Sequence, residues 1–109
     1  MELSGITHIV ANLEKSKRFY EEVLGFEIGA SYAPTRWQAY KCQEGIFFAI
    51  GEVPGSTEET SLVVDDIEAF WLRIKYKVDV VSPLEKTPWG TYRFVIKDPD
   101  GHLLAFGQK

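Results

Sequence analysis

Only one cysteine, Cys42, and two histidines, His8 and His102, occur in the 109 residues. A lone cysteine excludes an internal disulfide and makes a reducing compartment the expected one. Two histidines leave little imidazole for a metal centre or for acid–base work near neutral pH. No apolar run approaches the ~20 residues that span a bilayer. Met1-Glu2-Leu3-Ser4 has neither the basic nor the apolar part of a secretion signal, so a cytoplasmic protein is expected. Basic charge is short too: 12 Lys and Arg against 16 Asp and Glu give a formal net charge of −4, with no basic stripe. That balance disfavours nucleic acid and anionic membranes as partners. A glycine-rich phosphate loop is missing as well.

What is plentiful is apolar. The chain is 45% hydrophobic and 14% aromatic, an ordinary globular composition with more ring surface than a small core needs. The surplus hints at a stacking pocket.

The pattern describes one unit twice. Ile9-Val10-Ala11-Asn12-Leu13-Glu14 runs from an apolar strand into an acidic helix start, and Val63-Val64-Asp65-Asp66-Ile67-Glu68 repeats it half a chain length later. Neither half can bury its apolar face alone, and paired units leave a concavity where small ligands bind. Gly5–Ala11 reads as a strand with Ile6, His8 and Val10 on one face and Gly5, Thr7 and Ile9 on the other. Asn12 is placed to cap a helix whose stripe is Ser16, Phe19, Tyr20, Val23 and Leu24, ended by Gly25. Strands follow at Phe26–Tyr32, Trp37–Cys42 and Ile46–Ile50, with a turn at Ala33-Pro34-Thr35. Gly51–Glu59 is the one linker-like stretch, dividing Met1–Gly51 from Glu52–Lys109 within a single domain. The second unit predicts a strand at Thr60–Val64, a helix striped by Ile67, Phe70, Trp71 and Ile74, and strands at Val78–Val81, Thr91–Ile96 and Leu103–Phe106. The turn Asp98-Pro99-Asp100-Gly101 joins the last two.

Three segments, Leu13-Glu14-Lys15-Ser16 through Phe19-Tyr20 to Leu24-Gly25-Phe26, then Pro88-Trp89-Gly90, then Asp98-Pro99-Asp100-Gly101, make the chain resemble the vicinal oxygen chelate superfamily. That superfamily includes glyoxalases, extradiol dioxygenases and bleomycin-resistance proteins. The resemblance implies an α+β fold of two βαβββ modules whose eight strands form a curled mixed sheet around a cleft, and a homodimer. It also implies a divalent metal held by inward His or Glu side chains from the first, fourth, fifth and eighth strands. Carried onto this sequence, those positions are Gly5, Phe47 or Phe48, Glu59 and Ala105. Coordination needs lone pairs converging at ~2 Å, and three of the four offer none, so no metal and no cofactor are expected. Strand alternation turns His8 away from the Gly5 face, and His102 shares the face of Leu104 and Phe106.

The residues left to make a site are aromatic. Trp89 on its Pro-Trp-Gly loop is the best candidate, with Trp37, Tyr40, Phe48 and Tyr92 as further ligand-binding rings and Glu59 as a lone carboxylate. In site character the chain is similar to metal-free bleomycin-resistance proteins. The first reading is a metal-free binding protein that holds a small organic ligand, aromatic or cationic, in an aromatic cleft. The second is a glyoxalase-like lyase or isomerase, or a dioxygenase-like enzyme, with an atypical metal set or Glu59 as acid or base. In the third, the cleft is filled by side chains and only assembly matters. Cys42 reads more readily as a small buried hydrophobe than as a nucleophile.

Overall fold

A computed structural model describes residues 1–31 and 35–109. Its elements in chain order are β1 (Glu2–Ile9), α1 (Leu13–Arg18), a π-helical turn over Phe19–Val23, β2 (Ile28–Ser31), β3 (Trp37–Lys41) and β4 (Phe47–Gly51), then β5 (Glu59–Val64), α2 (Ile67–Ile74), β6 (Asp79–Lys86), β7 (Tyr92–Lys97) and β8 (Leu103–Gln108). The predicted strand end at Tyr32 and the turn residues Ala33 and Pro34 lie outside the described residues.

The fold is α+β and the repeat is real at the level of hydrogen bonding. In the first half the strand order is β2-β3-β4-β1, and in the second it is β6-β7-β8-β5. Both halves pair their last three strands antiparallel and their first strand parallel to their last. By contacts the chain forms two compact units, Gly5–Glu58, and Glu59–Lys109 together with Met1–Ser4.

In the first unit, Asn12 caps α1 by accepting from the Lys15 amide, and Glu52 accepts from the Leu13 amide. Arg36 then grips both Glu14 and Glu52, tying the linker and the start of β3 to the start of the helix. The predicted helical stripe is broken after Arg18. The Leu24 amide reaches back to the Phe19 carbonyl, one residue further than α-helical spacing allows, so the turn widens. As a result Tyr20 points into the core with Leu13, Tyr40 and Ile50, while Phe19, Val23 and Leu24 are exposed. Gly25 stops the helix with φ +75°, a conformation that needs no Cβ.

The second unit follows its sequence pattern more closely. Ile67, Phe70, Trp71 and Ile74 of α2 pack onto Val64, Phe94, Ile96 and Phe106, with Phe94 and Phe106 stacked at 5.1 Å. Asp66 caps the helix through the Ala69 amide, and Gln108 accepts from the Ile67 amide. Strand β6 is longer than predicted. Pro83 is tolerated because β6, among the described residues, has a neighbour on one side only and its pairing with β7 shifts register on either side of Ser82.

Candidate functional site

Each unit carries its helix on one sheet face, and the positions that the resemblance would assign to metal ligands lie on the other. In the first unit the helix-free face holds Gly5 and Thr7 of β1, Phe47 and Ala49 of β4, and Trp37 and Ala39 of β3. Gly5 pairs with Phe47, so of the two fourth-strand candidates it is Phe47 that shares the face of Gly5. A Cβ added at Gly5 would stand 2.5 Å from the Phe47 ring. The ring fills the space that a side chain at position 5 would need, and Trp37 meets it edge-on at 5.9 Å.

In the second unit the helix-free face holds Glu59 and Ser61 of β5, Leu103, Ala105 and Gly107 of β8, and Arg93 and Val95 of β7. Val95, Leu103 and Ala105 form a small buried cluster. Glu59 is not solitary: its Oε1 accepts from Arg93 Nη2 at 2.7 Å, with the two side chains 24% and 33% exposed. Sequence reasoning missed Arg93. The signal was available, since Arg93 alternates with Phe94 and so occupies the same face as Glu59, but a pairing that skips a strand leaves no spacing to read.

The predicted aromatic residues do not share one surface. Tyr40 is corrected outright. It is 1% exposed beneath α1, among Leu13, Ile50 and Tyr20, and cannot touch a ligand without unpacking the core. Alternation along β3 turns it to the helix side, and its hydroxyl donates to Glu21 at 2.7 Å. Burial and that carboxylate both push its phenol well above the usual range. Phe48 is on the same side, in ring contact with Tyr20, Phe26 and His8, so it too is a packing residue. Trp37 is half-buried on the helix-free face. Tyr92 is exposed at the start of β7, on the alternation of Phe94. Trp89 is 53% exposed in the hairpin joining β6 to β7. The hairpin is closed by Thr87 and Thr91, and Gly90 supplies the φ of +94° that the turn requires.

His8 lies on the Phe48 side of β1, its ring 5.1 Å from that of Phe48 and its Nδ1 paired with Glu58. His102 pairs with Asp98 at 2.9 Å across the final turn, which raises its pKa and lowers that of the carboxylate. Asp98, Asp100 and His102 bring ligand-type atoms within 4.8 Å of one another. Asp98 Oδ1 is already accepting from the Asp100 and His102 amides, so the group serves the turn. Cys42 is exposed, contrary to the buried role expected of it, because β3 ends at Lys41 and leaves it in the following loop.

A family profile matches residues 3–106, and the chain belongs to the glyoxalase/bleomycin resistance protein/dioxygenase superfamily. Among solved structures, a member of that superfamily from Vibrio splendidus 12B01 superposes with a TM-score of 0.80 at 21% identity, over 95% of this chain and 96% of that one. The Mn(II)-bound glyoxalase from Novosphingobium aromaticivorans gives 0.71 at 22%, over 98% of this chain and 38% of that one. An NAD-dependent benzaldehyde dehydrogenase from Legionella pneumophila gives 0.72 at 21%, over 95% and 96%. Such different names on one fold show that the likeness carries architecture and not chemistry. No curated protein matches the sequence. No helix among the described residues is long and apolar enough to cross a membrane.

Proposed function

We propose that this chain is a binding protein of its superfamily, taking a small organic ligand without a resident metal. The observation that carries the proposal is the state of the four family positions. Gly5, Phe47 and Ala105 have no donor atom, and the one carboxylate, Glu59, is held by Arg93. A divalent ion does not fit this set, because it would have a single carboxylate as its only protein ligand, and that carboxylate's charge is already met by a guanidinium. The same ion pair weakens the competing reading, in which Glu59 acts as acid or base, since the carboxylate would first have to leave Arg93.

The ligand's apolar part is met by an aromatic ring, and the exposed Trp89 is the candidate. Stacking of this kind contributes about 0.5–1.5 kcal/mol per ring beyond area burial and suits flat or cationic organic molecules. The chain acts as a homodimer in this reading. Its support is the exposed apolar run of Phe19, Val23, Leu24, Phe26 and Ile28 leading into and including the start of β2, a strand with one partner among the described residues. Two measurements test the proposal. Metal analysis of protein purified without chelators should find no stoichiometric divalent ion, and zinc or manganese retained by the wild type but lost in Glu59→Ala would defeat it. Sedimentation should give a dimer, and a monomer at tens of micromolar would remove the assembly from the reading, on the rough scale where weak dimers dissociate.

A further inference from the structure

Glu59 sits on β5 and Arg93 on β7, and β8 runs between those strands. The ion pair therefore passes over β8, above the small residues Ala105 and Gly107 that this face presents there. Each partner is only partly engaged. Arg93 uses Nη2 alone, leaving Nε and Nη1 without a partner among the described residues, and Glu59 uses Oε1 alone. Both side chains remain partly open to solvent, while Val95, Leu103 and Ala105 around them are buried. A fixed cation and a fixed anion, side by side with unspent donors and an unspent acceptor, define a specific recognition chemistry.

We infer that the Glu59–Arg93 pair is the polar anchor of the ligand site, and that it takes a neutral group that both donates and accepts, of the carboxamide class. This deepens the reading of a metal-independent binding protein and rests on it. A carboxamide oxygen accepts from the free guanidinium N–H groups while its NH2 donates to Glu59 Oε2. A ligand carboxylate would gain from Arg93 but meet Glu59, and also Glu85, which is cross-strand to Arg93 on the same face. A ligand ammonium would gain from Glu59 and meet Arg93. An added charge of either sign meets a like charge in this group and still loses its hydration. A neutral amide loses much less hydration and spends both halves of the pair.

The test is a titration of the full-length, isotopically labelled protein followed by amide NMR spectra, with benzamide, benzoate and benzylammonium as matched probes. Benzamide should shift the Ser61, Arg93, Val95 and Ala105 amides saturably. The two charged probes should bind about tenfold more weakly, the factor that one lost charge-assisted hydrogen bond implies. Glu59→Gln and Arg93→Lys should each weaken benzamide by a similar factor, with the rest of the spectrum unchanged as proof of folding. Equal binding of benzoate, no binding of benzamide, or binding that survives both variants would overturn the inference. A parallel addition of manganese chloride separates this from the underlying reading. Selective broadening at Glu59 and Ala105 would defeat metal independence itself, whereas no broadening together with no benzamide response defeats the amide anchor alone.

Discussion

The Phe47 ring stands where the side chain of residue 5 would be, 2.5 Å from the Cβ that Gly5 lacks. The two residues are direct partners in the parallel pairing of β1 with β4. Glycine at this position is therefore a packing requirement, since its backbone φ is not in the left-handed region. Both positions are committed to one ring and the space it fills.

Substituting Gly5→Ala should destabilise the protein by about 1–3 kcal/mol, the usual cost of forcing a group into a filled space. Reduced freedom of the unfolded chain offsets only about 0.4–1 kcal/mol of that. Urea unfolding should show the loss, and in a Phe47→Ala background the same substitution should become neutral or stabilising. An equal cost in both backgrounds would mean that something other than the ring constrains Gly5.

Much of the architecture was legible because it rests on local signals. Asn12 caps as its position predicted, Asp66 does the same at the repeated helix start, and the stripe of α2 survives intact. The first helix was harder, because the π-helical turn after Arg18 changes the period that the stripe assumed. The site was less legible for a different reason. Alternation within β3 gives two faces, but nothing local says which one a helix will cover, so Tyr40 was placed on the open side when it belongs to the core. The face of Arg93 was legible by alternation, but its pairing was not, because its partner is 34 residues away across an intervening strand.

The Tyr40 hydroxyl supplies a second prediction. Tyr40→Phe should cost about 0.5–1.5 kcal/mol, the net worth of one hydrogen bond, whereas Tyr40→Ala should cost about 3–5 kcal/mol through the cavity it leaves. Its raised phenol pKa means that the unfolded chain loses this proton first as pH rises past 10. The contribution is fully present below that value and falls above it. Absorbance of tyrosinate should therefore lack one tyrosine until the protein unfolds, and a full set of titrating phenols in the native state would contradict the burial.

The Asp98–His102 pair predicts a pH window for the final turn. Hydrogen bonds from the His102 amide and ring hold the Asp98 carboxyl below its ordinary 3.8, so its contribution is present above that value and lost on acidification. Asp98 in turn holds His102 above 6.5, so that contribution is complete below 6.5 and lost as pH rises through the raised value. The turn should be tightest between those limits. In an NMR titration His102 should change charge above pH 6.5, and Asp98→Asn should bring it back down. A midpoint that ignores the substitution would show that the pair does not form in solution.

Trp89 carries the last prediction, because a large ring 53% exposed in a hairpin has less core to fill than any mid-strand aromatic here. Thr87 and Thr91 close the hairpin through their own hydrogen bonds. If the ring serves the ligand, removing it should weaken binding more than it weakens the fold. A ligand from a thermal-shift screen, recognised because binding stabilises the folded state by mass action, provides the reagent. Trp89→Ala should lower its affinity at least several-fold, in keeping with about 1 kcal/mol or more for a stacked aromatic, while the melting temperature moves little. With Trp37 and Trp71 replaced by phenylalanine, the remaining indole fluorescence should respond to the ligand. A collapsed melting temperature with unchanged affinity would instead make Trp89 a structural ring, and the binding surface would have to be sought at Trp37.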